Sequence, residues 1–160
     1  MTDIELLKKI DAFRQLDDNQ LLAIKDCWEV VGFKQGDQLF KEGEDSRYLW
    51  VVIEGKVDLR YELEDGSSLS KGKLHFISEA QTFGWSCFVP PYKYRLSGYC
   101  VTGECSVIKI EKNCLLKLFE QNPDMGFHVM KQLVQVVGSH FNNFRDELSK
   151  QIGDDIMNPW

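Results

Sequence analysis

The chain has 160 residues, 43% hydrophobic and 28% charged, with a formal net charge of −6. That is room for one domain with a sizeable core and too little for two, within the composition of ordinary soluble globular proteins. The acidic balance, with no cluster of Lys and Arg, argues against direct binding of DNA or RNA through phosphates.

Lys71 and Lys73 sit in a Gly/Ser-rich stretch that reads as a solvated loop. The first five residues are acidic and carry no apolar core of a signal peptide. No run approaches the roughly 18 apolar residues of a membrane span. A cytoplasmic protein that does not engage a membrane is expected. Cys27, Cys87, Cys100, Cys105 and Cys114 are odd in number, scattered and set in apolar stretches, which predicts buried reduced thiols. No CxxC pair occurs, and His75, His128 and His140 form no ligand pair, so no metal site is expected.

Ile4, Leu7, Ile10 and Phe13 recur at three-residue spacing, predicting an amphipathic helix over 4–15. Asp17, Asp18 and Asn19 offer N-caps for a second helix over 20–27, with Leu21, Leu22 and Ile24 inward. At Trp28 the pattern changes to short strands: 29–34, 38–41, 48–53, 56–62, 74–77, 96–101 and 106–110. The strand over 56–62 alternates, with Val57, Leu59 and Tyr61 on one face. Gly36, Gly43 and Gly55 mark reversals of the chain, where glycine supplies positive φ. Turns every eight to twelve residues, with no βαβ alternation, give a sandwich or barrel of about eight strands.

The helical period returns at Asn113, with Leu115, Leu116, Leu118 and Phe119 forming a short helix. Pro123 opens a long one, because its missing N–H costs nothing in a first turn. Met130, Leu133, Val137, Phe141, Phe144 and Leu148 make its apolar stripe, which Phe127 and Val134 widen. The predicted layout is one domain over 1–152 and a frayed tail over 153–160.

Phe13-Arg14-Gln15-Leu16, then Phe33 to Asp37 with Phe40 to Glu44, then Tyr48 to Val57 follow each other in the order seen in the cyclic nucleotide-binding domain family. Over about residues 5–150 the chain resembles that family, which includes the sensor half of the catabolite activator protein. The resemblance implies a mainly β fold with flanking α-helices: a double-stranded β-roll (jelly roll) with N-terminal helices and a long C-terminal helix.

In that family one cassette holds the ligand. A glycine and a glutamate precede a short helix, an arginine and a small hydroxyl residue follow it, and the helix N-terminus with the arginine receives the cyclic phosphate. Here the cassette reads Phe83-Gly84-Trp85-Ser86-Cys87-Phe88-Val89-Pro90-Pro91-Tyr92-Lys93-Tyr94-Arg95-Leu96-Ser97. Gly84 matches. Trp85 stands in the glutamate's place, and an indole has one donor and no acceptor for a ribose hydroxyl. Counting forward from Gly84 puts Lys93 in the arginine's place; counting back from Ser97 brings in Arg95. Ser86 is read as a cap of the short helix and Ser97 as a phosphate contact. A subset of bacterial stand-alone domains in the family has similar FGWS and PPY segments.

The resemblance implies a small anionic nucleotide-like ligand, cyclic AMP (cAMP) or cyclic GMP (cGMP), bound by Phe83, Gly84, Trp85, Ser86, Lys93, Arg95 and Ser97. Losing one polar contact costs about 1–3 kcal/mol, so cAMP is expected to bind weakly. In family relatives the long helix dimerises, which predicts a homodimer through the stretch that opens at Pro123 and reaches Leu148. With no helix-turn-helix after it and an acidic Asp154-Asp155 instead, direct DNA reading is not expected. The sequence supports a regulatory ligand-binding module. Its rival is a degenerate fold kept as a protein-interaction module with an unknown protein partner. An enzyme is disfavoured, since no nucleophile elbow or cupin-like metal motif appears.

Overall fold

The computed structural model describes residues 3–65, 68–70 and 76–157. Helix α1 (Asp3–Lys9) leads into a 3-10 turn (Asp11–Phe13), and α2 (Asp18–Lys25) follows. The expected first helix is thus broken at Ile10, whose backbone is extended. Asp17 caps α2 in a capping box with Gln20, which satisfies two end groups that a helix otherwise leaves open.

Nine strands come next among the described residues: β1 (Trp28–Lys34), β2 (Gln38–Phe40), β3 (Tyr48–Glu54), β4 (Val57–Glu62), β5 (Ser68–Ser70), β6 (Phe76–Ile77), β7 (Thr82–Phe83), β8 (Ser97–Cys100) and β9 (Glu104–Glu111). They form two antiparallel sheets, β1-β9-β3-β7 and β2-β8-β4-β5, with β6 also on β4. This is the β-roll the resemblance implied. The strand expected over 74–77 survives as β6; its residues 74 and 75, with His75, lie outside the described residues.

β3 shows why its sequence is almost unbroken in apolar residues. Leu49 and Val51 join a core formed by α1, α2, α3 and α4, while Trp50 and Val52 fill the roll between the sheets. Successive side chains point to opposite faces, and both faces of β3 are covered. β9 repeats this, with Ile108 and Ile110 toward the helices and Val107 toward the roll.

One inward assignment is corrected. Leu22 is exposed, because α2 turns Leu21 and Ile24 to the core and leaves the next position outside. Tyr61 is also exposed, at the outer end of β4.

Four of the five cysteines are paired, which corrects the expectation of reduced thiols. Cys27, just after α2, is bonded to Cys114 in the first turn of α3 (Lys112–Gln121), with Cα atoms 5.6 Å apart. The β1–β9 register opposes Trp28 to Ile110 and brings these ends together. Cys100 and Cys105, 6.0 Å apart at Cα, flank the turn between β8 and β9. Cys87 is free and buried.

Helix α4 (Pro123–Met157) continues past Gly153, where a tail was expected. A helical glycine costs about 1 kcal/mol relative to alanine and does not by itself end a helix. Residues 158–160 lie outside the described residues. The apolar stripe of α4 divides in two. Met125, Val129 and Leu133 pack into the helix-side core, whereas Phe127, Val134, Phe141 and Leu148 stay exposed. The Phe144 side chain lies outside the described ones.

Candidate functional site

β7 ends at Phe83, fully buried in the roll. Gly84 follows in the left-handed region, φ 75°. A Cβ there would stand 2.7 Å from Trp50 Cδ1, so only glycine lets the chain turn this close to the indole. The short 3-10 helix Trp85–Phe88 starts from it. Ser86 does not cap that helix: Gly84 holds the N-cap position, and the Ser86 hydroxyl is buried 3.0 Å from the Ser46 hydroxyl. Burial pushes the Cys87 thiol up to about 12, which removes it as a nucleophile near neutral pH.

The two cations separate. Lys93 lies on an isolated bridge to Asp45 and donates a hydrogen bond to its carboxylate. That bond and the ammonium charge hold the Asp45 carboxyl below its usual value. Arg95 makes no ion pair with any described residue and lines a hollow beside Gly84, Trp85 and Ser86.

Ser97 is buried, and its hydroxyl accepts the Glu42 N–H at 2.9 Å. The nearby Glu62 carboxyl is held below its usual range, first of all by the hydrogen bond from the Tyr99 hydroxyl. The Ser97 hydroxyl, expected to meet a phosphate, is thus engaged with the protein's own backbone. Neighbours in extended chain point oppositely, so Leu96 faces the hollow and Ser97 faces away.

Two hollows adjoin here. The narrow one, about 50 Å³, is lined by Phe40, Tyr94 and Arg95 with the cassette's Gly84 and Ser86. Its floor is aromatic: the Tyr94 ring stacks on Phe40 with centroids 4.0 Å apart, and Trp50 Nε1 donates to Tyr94 Oη at 2.9 Å. Burial pushes the Tyr94 hydroxyl up, so it remains protonated. The wide hollow, about 350 Å³, lies between the roll and α4. Leu59, Trp85 and Leu96 line both. Trp85 therefore stands, with Leu59 and Leu96, where the two hollows meet. It is partly buried against the helix-side core and does not fill the wide hollow.

Sequence reasoning missed the wide hollow's polar wall of Arg14, Gln132 and Gln135. One signal was present. Gln132 sits beside Leu133 on the core-facing side of α4, where the helical period calls for an apolar residue.

The described residues contain no helix long and apolar enough to cross a membrane. Residues 30–122 match the family model described as cyclic nucleotide-binding domain. The chain is similar to the CRP-like cAMP-activated global transcriptional regulator of Mycobacterium tuberculosis, at 22% identity over 142 residues. That alignment takes in 89% of this chain and 62% of the regulator, so the chain spans less than two thirds of its relative's length. In structure it is similar to a cyclic nucleotide-binding domain from Methylobacillus flagellatus KT, with TM-score 0.78 and 15% identity, covering 93% of this chain and 82% of that one. The catabolite activator protein of Thermus thermophilus gives TM-score 0.69 at 18% identity, with 88% and 62% covered.

Proposed function

Because the chain belongs to the cyclic nucleotide-binding domain family, we propose that it is a non-enzymatic regulatory module that binds a small anionic, nucleotide-like ligand at the mouth of the roll. The observation that carries this reading is the hollow of about 350 Å³ between roll and α4, continuous with the segment from Gly84 to Arg95. Small-ligand sites fall in this size range and sit where layers meet. Arg95 supplies the cation of the cassette, as a fork that grips a phosphate in two places. Phe83 and Gly84 shape the turn, Ser86 lines its wall, and Trp85 stands where the two hollows meet.

Isothermal titration calorimetry with cAMP and with cGMP tests it. Binding is expected, weakened about tenfold or more by Arg95→Gln. No heat at millimolar nucleotide would favour the scaffold reading, which Trp85 in the glutamate's place supports.

A homodimer through α4 is part of the proposal. Phe127, Val134, Phe141 and Leu148 are exposed at intervals of seven, and Met130 and Val137 fall between them. This is the spacing by which two helices bury a shared seam. It leaves the inner face of α4 free to line the ligand hollow.

A further inference from the structure

Two arginines without ion-pair partners among the described residues face the joined hollows from different compartments. Arg95 lines only the narrow one and Arg14 only the wide one, while Trp85, Leu59 and Leu96 line both. Arg14 comes from the segment just after the 3-10 turn Asp11–Phe13, far in sequence from the cassette.

The acid beside it is already engaged. Asp11 accepts from the Ala12 N–H at 2.7 Å, from the Thr82 N–H at 3.1 Å, and from the Thr82 hydroxyl. Gln132 is nine-tenths buried, lines the same wall and makes no hydrogen bond with a described residue. No buried side-chain nitrogen or oxygen among the described residues lacks a partner, so its amide reaches the open space of the hollow instead of being sealed in the core. Its amide and the Arg14 guanidinium together offer donors for an anionic oxygen, with one acceptor left over.

We infer that this site takes a nucleotide bearing two separate anionic groups, one held at Arg95 and the second at Arg14 and Gln132, with Trp85 bordering both hollows. A cyclic mononucleotide has one anionic group and leaves one arginine unused. The inference rests on the proposed ligand-binding role of the same hollow.

Calorimetry with adenosine 3′,5′-bisphosphate and with cAMP tests it on the whole chain. The bisphosphate is expected to bind about ten- to a hundredfold more tightly than cAMP. Arg14→Gln should remove about tenfold or more of the bisphosphate's advantage over cAMP. Arg14 is exposed, and an unchanged melting temperature verifies that the variant folds. Gln132→Leu, which keeps the volume, should act in the same direction. The inference is overturned if the bisphosphate shows no advantage, or if Arg14→Gln weakens both ligands equally or neither. Binding of cAMP that depends on Arg95, without a bisphosphate advantage, would sink the second anchor alone. Absence of binding by either nucleotide would overturn both readings.

Discussion

The indole of Trp50 donates to the hydroxyl of Tyr94 at 2.9 Å, joining β3 to the end of the cassette across 44 residues of chain. Both side chains are buried, so the bond is made where water cannot replace it. Tyr94→Phe leaves the indole N–H without that partner at a cost of about 1–3 kcal/mol. At roughly 2–4 °C per kcal/mol for a chain of this size, scanning calorimetry should show a clear fall in melting temperature. An unchanged melting temperature would mean that the bond contributes nothing.

Gly36 and Gly55 both have positive φ, 89° and 85°. They differ in their surroundings. A Cβ at Gly36 would meet nothing within 4 Å, whereas at Gly55 it would run into the Glu104 carbonyl and the Thr102 hydroxyl. Gly36→Ala should cost about 1 kcal/mol, the usual cost of the left-handed conformation. Gly55→Ala adds overlap with backbone and should exceed it by about 1–3 kcal/mol. Parallel denaturant titrations of the two variants compare them directly.

Asp45 titrates below its ordinary value of 3.8 because Lys93 hydrogen-bonds it and neutralises its charge. Its folded-state pKa is depressed, so the pair's stabilisation is present above the unfolded value and is lost as pH falls through the folded one. The pair is exposed, and its contribution to stability is correspondingly small. Lys93→Met should return the Asp45 midpoint toward its ordinary value in an NMR titration. It should leave nucleotide affinity unchanged, since Lys93 is occupied outside the hollow. A loss of affinity in this variant would restore Lys93 to the site.

Phe141→Glu places a charge in the exposed α4 seam. Analytical ultracentrifugation should show a dimer for the native chain and a monomer for the variant, with the melting curve of the roll little changed. A native chain that sediments as a monomer at tens of micromolar would dispose of the seam.

The Cys27–Cys114 bond closes a loop of 87 residues. Chain-entropy arguments assign such a loop about 4–5 kcal/mol. Cys27→Ser with Cys114→Ser should therefore melt well below the native chain under oxidising conditions, and the two should converge in excess reductant.

The strands legible in the sequence were those long enough to show a period, or, as with the three-residue β2, bracketed by turn glycines at Gly36 and Gly43. β3 announced itself by a continuous apolar run and β4 by the alternation at its start. β5 and β7 have three and two residues, too few for any pattern, and they exist because neighbours supply their hydrogen bonds. The cysteine pairs escaped notice because pairing depends on which strand ends meet, and spacing along the chain does not encode that.

At the site, Gly84 was legible because it matches the glycine of the cassette that the sequence resembles. That Lys93 pairs with Asp45 was not, because it depends on which residue lands opposite that carboxylate. The bond from the Glu42 N–H to Ser97 was not legible either, because it joins residues 55 apart in the chain. Arg14 lies outside the cassette altogether, and only the packing of the N-terminal turn beside β7 brings it to the hollow.

Helix α4 works as a shared wall. One side, at Gln132 and Gln135, borders the chamber, and the other, at Val134 and Phe141, looks outward. Across a rod about 10 Å thick, neither side can shift without displacing the other. Whatever occupies the chamber thereby sets the tilt of the outer surface, and a second molecule gripping that surface alters the room left inside. Occupancy and assembly would then be linked by reciprocity, each strengthening or weakening the other by the same factor.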